Sequence, residues 1–193
     1  MPTLRRAGLP VVVVTLALFL ALSGCGSSNA KTAAKPNRPK PAEDLAMTDA
    51  DFVNLRDMTP VRGFFVANRL GHLKQTLAVA NNPKGGTYPV GTILQLVPQE
   101  AMVKRAPGFN PKTHDWEFFF LETSGTGTKI AVRGSTEVKN RFGGNCFACH
   151  ALAQSRFDLV CEKTHGCEPL PVGDDVIHAV QEADPRPRTT AGN

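Results

Sequence analysis

At 193 residues the chain has room for one domain of ordinary size plus terminal extensions. Its formal charge of +5 is spread without a basic stripe interleaved with aromatics, which excludes nucleic acid as an expected partner. Arg5 and Arg6 contribute two of those charges near the start, and much of the remaining surplus lies before residue 45.

Residues 1–24 read as an export signal. Arg5 and Arg6 make a positive start, and Val11 to Leu22 is an almost unbroken apolar run, too short for a comfortable membrane span. The run ends in Leu22-Ser23-Gly24-Cys25, which resembles the lipobox of bacterial lipoproteins. That resemblance implies cleavage before Cys25 and a lipid on its thiol. The chain would then be anchored on the periplasmic side of the bacterial envelope, at the outer membrane. The plainer alternative is an ordinary signal peptide that ends near a cysteine. Residues 25–44 hold Ser27, Ser28, Lys31, Lys35, Pro36 and Pro39 with no large apolar side chain, so they read as a disordered tether. The folded domain is expected over 45–184, with 185–193 a flexible tail.

Within the domain, Thr48 reads as a helix N-cap, with Asp49 and Asp51 placed favourably for the helix dipole and Phe52 and Leu55 on the buried side. Gly63 to Ala67 reads as a buried strand. Leu73 to Ala80 fits helix or strand, and Thr76, Leu77 and Val79 tilt it towards strand. Asn81 to Gly86 is turn chemistry, and Thr92 to Val97 alternates as a strand that Pro98 stops. Trp116 to Leu121 is the clearest strand, with Trp116, Phe118 and Phe120 on one face and Glu117, Phe119 and Leu121 on the other. Ser124 to Gly127 turns into a further strand, Lys129 to Val132. Short helices are expected over Cys146 to Gln154 and Asp174 to Ala183. The fold class that follows is α+β: a predominantly antiparallel sheet with short N-terminal, motif-bearing and C-terminal helices.

The chemistry concentrates in Cys146-Phe147-Ala148-Cys149-His150. Cys-x-x-Cys-His is the spacing of covalent c-type haem attachment. Two thiols a little over one helical step apart reach two vinyl groups on one porphyrin edge, and the following imidazole offers a nitrogen to the iron. Three other readings compete: a thioredoxin-like redox pair, which would sit near a βαβ pattern that is not evident here, a zinc site completed by Cys161 and Cys167, and a plain disulfide. The five cysteines balance under the haem reading. Cys25 takes the lipid, Cys146 and Cys149 the haem, and Cys161 and Cys167 close a small disulfide loop in an oxidising compartment. A zinc site of four cysteines balances equally, but needs reduced thiols there.

An exported β-rich domain with Cys-x-x-Cys-His near its C-terminus resembles the cytochrome P-460 and cytochrome c-prime-beta family. The matching residues are Tyr88-Pro89-Val90-Gly91-Thr92, like that family's aromatic-Pro-x-Gly-Thr strand entry, the aromatic strand Trp116 to Leu121, and Cys146 to His150. The resemblance spans about residues 60 to 155. It implies an antiparallel sheet, a homodimer, and one haem c with His150 below the iron and an open or weakly occupied distal side. The P-460 branch oxidises hydroxylamine and cross-links a lysine to the porphyrin shortly after the Gly-Thr step. Here no lysine follows until Lys104, so the resemblance favours the c-prime-beta branch, whose apolar, phenylalanine-lined distal face admits small neutral gases such as nitric oxide.

A sixth iron ligand is sought among His72, His114, His165, His178, Met47, Met58 and Met102. Glu117, Glu122 and Lys129 are candidate acid–base groups, although charged residues on a strand usually face solvent, and Arg141 and Arg156 are candidate propionate partners. The expected function is an exported, lipid-anchored monohaem c-type cytochrome that binds a small gas, nitric oxide or carbon monoxide, or passes electrons to a redox partner. The contrasting class is a non-haem lipoprotein stapled by zinc or disulfides at Cys146, Cys149, Cys161 and Cys167. An oxidoreductase acting on hydroxylamine or a nitrogen oxide is a further alternative.

Overall fold

A computed structural model describes residues 45–189. The signal segment 1–24, Cys25, the tether 25–44 and residues 190–193 lie outside the described residues. Six strands form one antiparallel sheet in the order of the sequence: β1 (Thr59–Val61), β2 (Phe64–Asn68), β3 (Thr92–Gln95), β4 (Glu100–Lys104), β5 (Trp116–Ser124) and β6 (Gly127–Gly134). Among the described residues there are also three short α-helices: α1 (Leu73–Ala80) between β2 and β3, α2 (Cys146–His150), and α3 (Asp174–Glu182). The class is α+β with a mostly antiparallel sheet.

Period-two alternation gives the sheet two apolar faces, and each has its own cover. Val66 stands opposite Leu94, Leu94 opposite Met102, and Met102 opposite Phe118, forming a buried row across four strands. This row packs with Leu73 and Leu77 of α1, with Leu159 and Val160, and with Cys146 and Phe147 of α2. The other face presents Ile93, Ala101, Val103, Phe119 and Leu121 to Met47, Phe52, Leu55 and Met58 from the segment before β1. Burying each large side chain in these layers contributes roughly 1.5–3 kcal/mol.

Thr48 opens a 3-10 turn, Asp49–Asp51, and the Asp51 carboxylate accepts the Thr48 backbone N–H at 2.7 Å. The segment Leu73–Ala80 is a helix and not the strand that its β-branched residues suggest. Leu73, Leu77 and Ala80 recur at helical spacing and meet the core together. Thr76 is tolerated inside the helix because its hydroxyl is used by Asn68 at 3.1 Å and Thr92 at 3.0 Å. The motif helix is also shorter than expected, ending at His150 and not at Gln154. Residues 185–189 are not a loose tail. Arg186 is buried against Asp184, and Arg188 and Thr189 bond the Asp57 carboxylate. Among the described residues, no helix is long and apolar enough to cross a membrane.

Candidate functional site

The approach to α2 is built from backbone hydrogen bonds gathered by two asparagines. The Asn140 side-chain oxygen accepts the N–H groups of Phe142 at 3.0 Å and Gly144 at 2.9 Å, and Gly143 supplies the left-handed step at φ 83°. Asn145 then caps the helix, accepting the Ala148 N–H at 2.8 Å while its amide donates to the Thr136 carbonyl at 2.9 Å. The Cys146 N–H donates to the Val138 carbonyl at 3.0 Å, tying the start of α2 to the stretch leaving β6.

Cys146 and Cys149 are both free thiols on this one turn. Cys146 is half-buried against the core, and Cys149 is exposed. Burial pushes the Cys146 thiol up to about 11, with the nearby Glu100 charge adding to the rise. A redox-active Cys-x-x-Cys needs the opposite, a thiol acidified towards neutrality. Cys161 and Cys167 are joined by a disulfide, with their Cα atoms 5.7 Å apart.

His150 is the most determined side chain of the motif. Its Nδ1 lies 2.7 Å from the Leu159 carbonyl oxygen. A carbonyl only accepts, so the proton resides on Nδ1 and the lone pair on Nε2. The Phe118 ring of β5 packs on the imidazole at 5.3 Å between centroids. Burial holds the histidine below its ordinary pKa, against the opposing pull of the Leu159 bond. The result is a neutral imidazole with a fixed tautomer and an Nε2 electron pair ready to donate. That is the donor chemistry an axial haem ligand requires, so the residues present fit a c-type haem.

The other candidates separate by place in the fold. Met47 and Met58 belong to the core on the opposite sheet face from the motif. Met102 is buried in the layer on the motif's face, opposite Phe118, the ring that His150 touches. His72 is exposed ahead of α1, and His178 bonds Gln181 at 3.2 Å. His165 stacks on Phe157 at 3.6 Å and its Nδ1 bonds the Val160 carbonyl at 2.7 Å. His114 lies 3.3 Å from the Asp158 carboxylate. Glu122 and Lys129 face each other across β5 and β6 in solvent. Glu117 departs from the expectation that strand charges face water: it is buried between Arg105 and Arg133. The Arg141 and Arg156 guanidiniums lie over the rings of their neighbours Phe142 and Phe157.

Three participants escaped the sequence reading. Glu100 and Lys104 lie on β4, whose charged ends hide it as a strand. Burial raises the Glu100 carboxyl above its ordinary value, partly opposed by Arg141. The third is the Leu159 carbonyl, a backbone group with no sequence signal at all. No family model, curated protein or solved structure matches the chain.

Proposed function

We propose that the protein is a monohaem c-type cytochrome whose haem is bound by Cys146 and Cys149 and ligated by His150, and that it binds a small neutral gas at the open side of the iron. The observation that carries this reading is the Nδ1–H bond from His150 to Leu159, which leaves Nε2 free and oriented. His165 carries the same kind of bond, to the Val160 carbonyl, so it is the place of His150 directly after the two thiols on α2 that makes its free Nε2 the candidate donor. The pairing of Cys161 with Cys167 weighs against a four-thiolate zinc site, since two of its ligands are consumed. The high thiol pKa of Cys146 weighs against thiol redox chemistry.

The haem supplies an iron centre able to bind a diatomic gas or to cycle by one electron. The chain supplies the rest. Cys146 and Cys149 would hold the porphyrin by thioether bonds, while the Leu159 carbonyl keeps the proton on His150 Nδ1 and the Phe118 ring packs on the imidazole. Met47 and Met58 lie in the core on the opposite sheet face, and the His114 ring faces the Asp158 carboxylate, which removes three of the candidate sixth ligands and favours gas binding over electron carriage. Lys104, the first lysine after the Gly-Thr step, has its ammonium held by Asp158 and the His114 carbonyl, which weighs against a porphyrin cross-link. The antiparallel sheet agrees with the sheet that the cytochrome P-460 and c-prime-beta resemblance implies, and the family itself rests on that resemblance alone. Export and lipid anchorage at Cys25 complete the proposal.

The test is a haem stain on a denaturing gel followed by ferrous spectra with and without carbon monoxide. Thioether-bound haem survives boiling, and a five-coordinate ferrous haem shifts its spectrum on adding the gas. A colourless band defeats the haem reading. A low-spin spectrum indifferent to carbon monoxide retains the haem and makes the protein an electron carrier.

A further inference from the structure

The Leu159 carbonyl that meets His150 belongs to a costly piece of backbone. Asp158 and Leu159 are consecutive non-glycine residues in the left-handed region, at φ 52° and 63°. Such a conformation costs roughly 1–2 kcal/mol per residue and persists only where the surroundings over-determine it. Here they do. The Asp158 carboxylate receives the Lys104 ammonium at 2.8 and 2.9 Å and the Tyr88 backbone N–H at 2.9 Å, and the His114 ring nitrogen approaches it at 3.3 Å. The Asp158 carbonyl accepts the Trp116 indole N–H at 2.7 Å. Lys104 in turn donates to the His114 carbonyl at 2.6 Å and lies over the Trp116 ring at 5.0 Å. Both charged side chains are more than nine-tenths buried.

A buried ion pair of this kind is a poor source of net stability, because desolvation offsets most of the attraction. What it does supply is a fixed geometry. The bonds from β4, β5 and the stretch before β3 converge on one residue, and the next carbonyl along the chain is the one His150 uses. We propose that Lys104 and Asp158 are positioning residues for His150: their buried pair fixes the Leu159 carbonyl and thereby sets the imidazole's orientation, tautomer and donor strength towards iron. This rests on the haem reading above. The stronger the Nδ1–H bond, the more electron density Nε2 offers, and the more the oxidised iron is favoured. Loosening the loop therefore raises the midpoint potential.

The experiment uses the full chain loaded with haem, with haem content measured first on the gel. Absence of haem in the unaltered protein defeats the underlying reading and not this one. In loaded Asp158→Asn, the midpoint potential rises and the His150 Nδ1 proton exchanges with solvent about tenfold faster, as expected when a hydrogen bond of ordinary strength is loosened. Lys104→Arg, which keeps the charge, stays near the unaltered protein in both. Glu117→Gln breaks a comparable buried pair on the opposite face and loses stability without moving either readout. If Asp158→Asn yields no folded protein, Lys104→Gln is measured in its place with the same expectations. A loaded variant with unchanged potential and exchange overturns the proposal, as does an equal shift in Glu117→Gln.

Discussion

Asp184 and Arg186 lie in a stretch of charges and prolines that offers no apolar side chain to bury, yet both side chains are 1% exposed. They enter the interior as a pair. The Asp184 carboxylate takes the Arg186 guanidinium at 2.7 Å and the Leu55 N–H at 2.8 Å, and Arg186 also reaches the Phe52 carbonyl and Gln95. Burial alone would raise the Asp184 carboxyl, but the hydrogen bonds from Arg186 and Leu55 outweigh it and hold the group below its ordinary 3.8. A carboxyl depressed on folding contributes stability that is present above the unfolded value and lost as pH falls through the folded one. Urea unfolding at a series of pH values should therefore show this contribution intact from pH 7 to about 5 and disappearing below about 4. Asp184→Asn should cost about 3–5 kcal/mol at neutral pH, because Arg186 stays buried without its counter-charge. The gap between the two proteins should narrow in acid, and a constant gap would show that the pair does not titrate as argued. Nothing in a linear reading exposes this pair. Composition marks residues 185–193 as tail-like, and only partner groups far upstream, at Phe52, Leu55 and Gln95, make burial of this pair possible.

At the level of elements, the turn 81–86 is pressed against the segment that follows the motif helix. Gly85 has φ 79°, and a Cβ built there would meet the Arg156 carbonyl oxygen at 2.1 Å. The next residue, Gly86, donates its N–H to that same carbonyl at 2.8 Å. Gly85→Ala should cost roughly 2 kcal/mol or more, from the left-handed backbone plus a clash that the backbone of Arg156 must relieve. Gly63 has nothing within 4 Å of its Cβ position and no left-handed φ. Gly63→Ala should then stay within about 0.5 kcal/mol in the same thermal scan, and equal losses at both sites would contradict the close-approach argument. Elements whose residues obey a single local rule were legible. β5 alternates aromatic and apolar side chains to two buried faces, and α3 begins with Asp174 and Asp175. Elements whose local preferences are overridden by distant partners were not. The β-branched residues of α1 point to a strand until Asn68 and Thr92 satisfy the Thr76 hydroxyl. β4 turns Glu100 and Lys104 towards the motif's side of the sheet, and a rule that sends strand charges to solvent conceals it. The motif itself stood out at once, because three chemically specific residues within five positions need no tertiary context. The carbonyl that orients His150 required the whole fold.

Across the whole molecule, the sheet separates two jobs. One face is closed by the segment before β1, and the other carries the motif and its supports. If Cys25 is the lipid site, Cys25→Ser should move the protein from the membrane fraction to the soluble one or block its processing, and a mature variant that stays in the membrane fraction would end that reading. The motif face makes a stronger demand. Phe142 and Leu152, which flank Cys146 to His150, are 79% and 52% exposed, and Val132 of β6 is 46% exposed. Apolar surface left open beside an attachment motif is surface that a porphyrin can cover. A covalently held group is never dilute, so whatever it contributes to the folded state is present at any protein concentration. If haem is attached there, Cys146→Ala should lose most of the haem stain and unfold at a lower temperature than the loaded protein. Removing a half-buried thiol has its own cost, of about 1 kcal/mol. The decisive comparison repeats the substitution in cells that cannot attach haem. There Cys146→Ala should cost only that packing loss, while in attaching cells it costs the packing loss and the haem's contribution together. Equal losses in both hosts, with no difference in absorbance, would mean that no haem is bound and that Cys146 is an ordinary core cysteine.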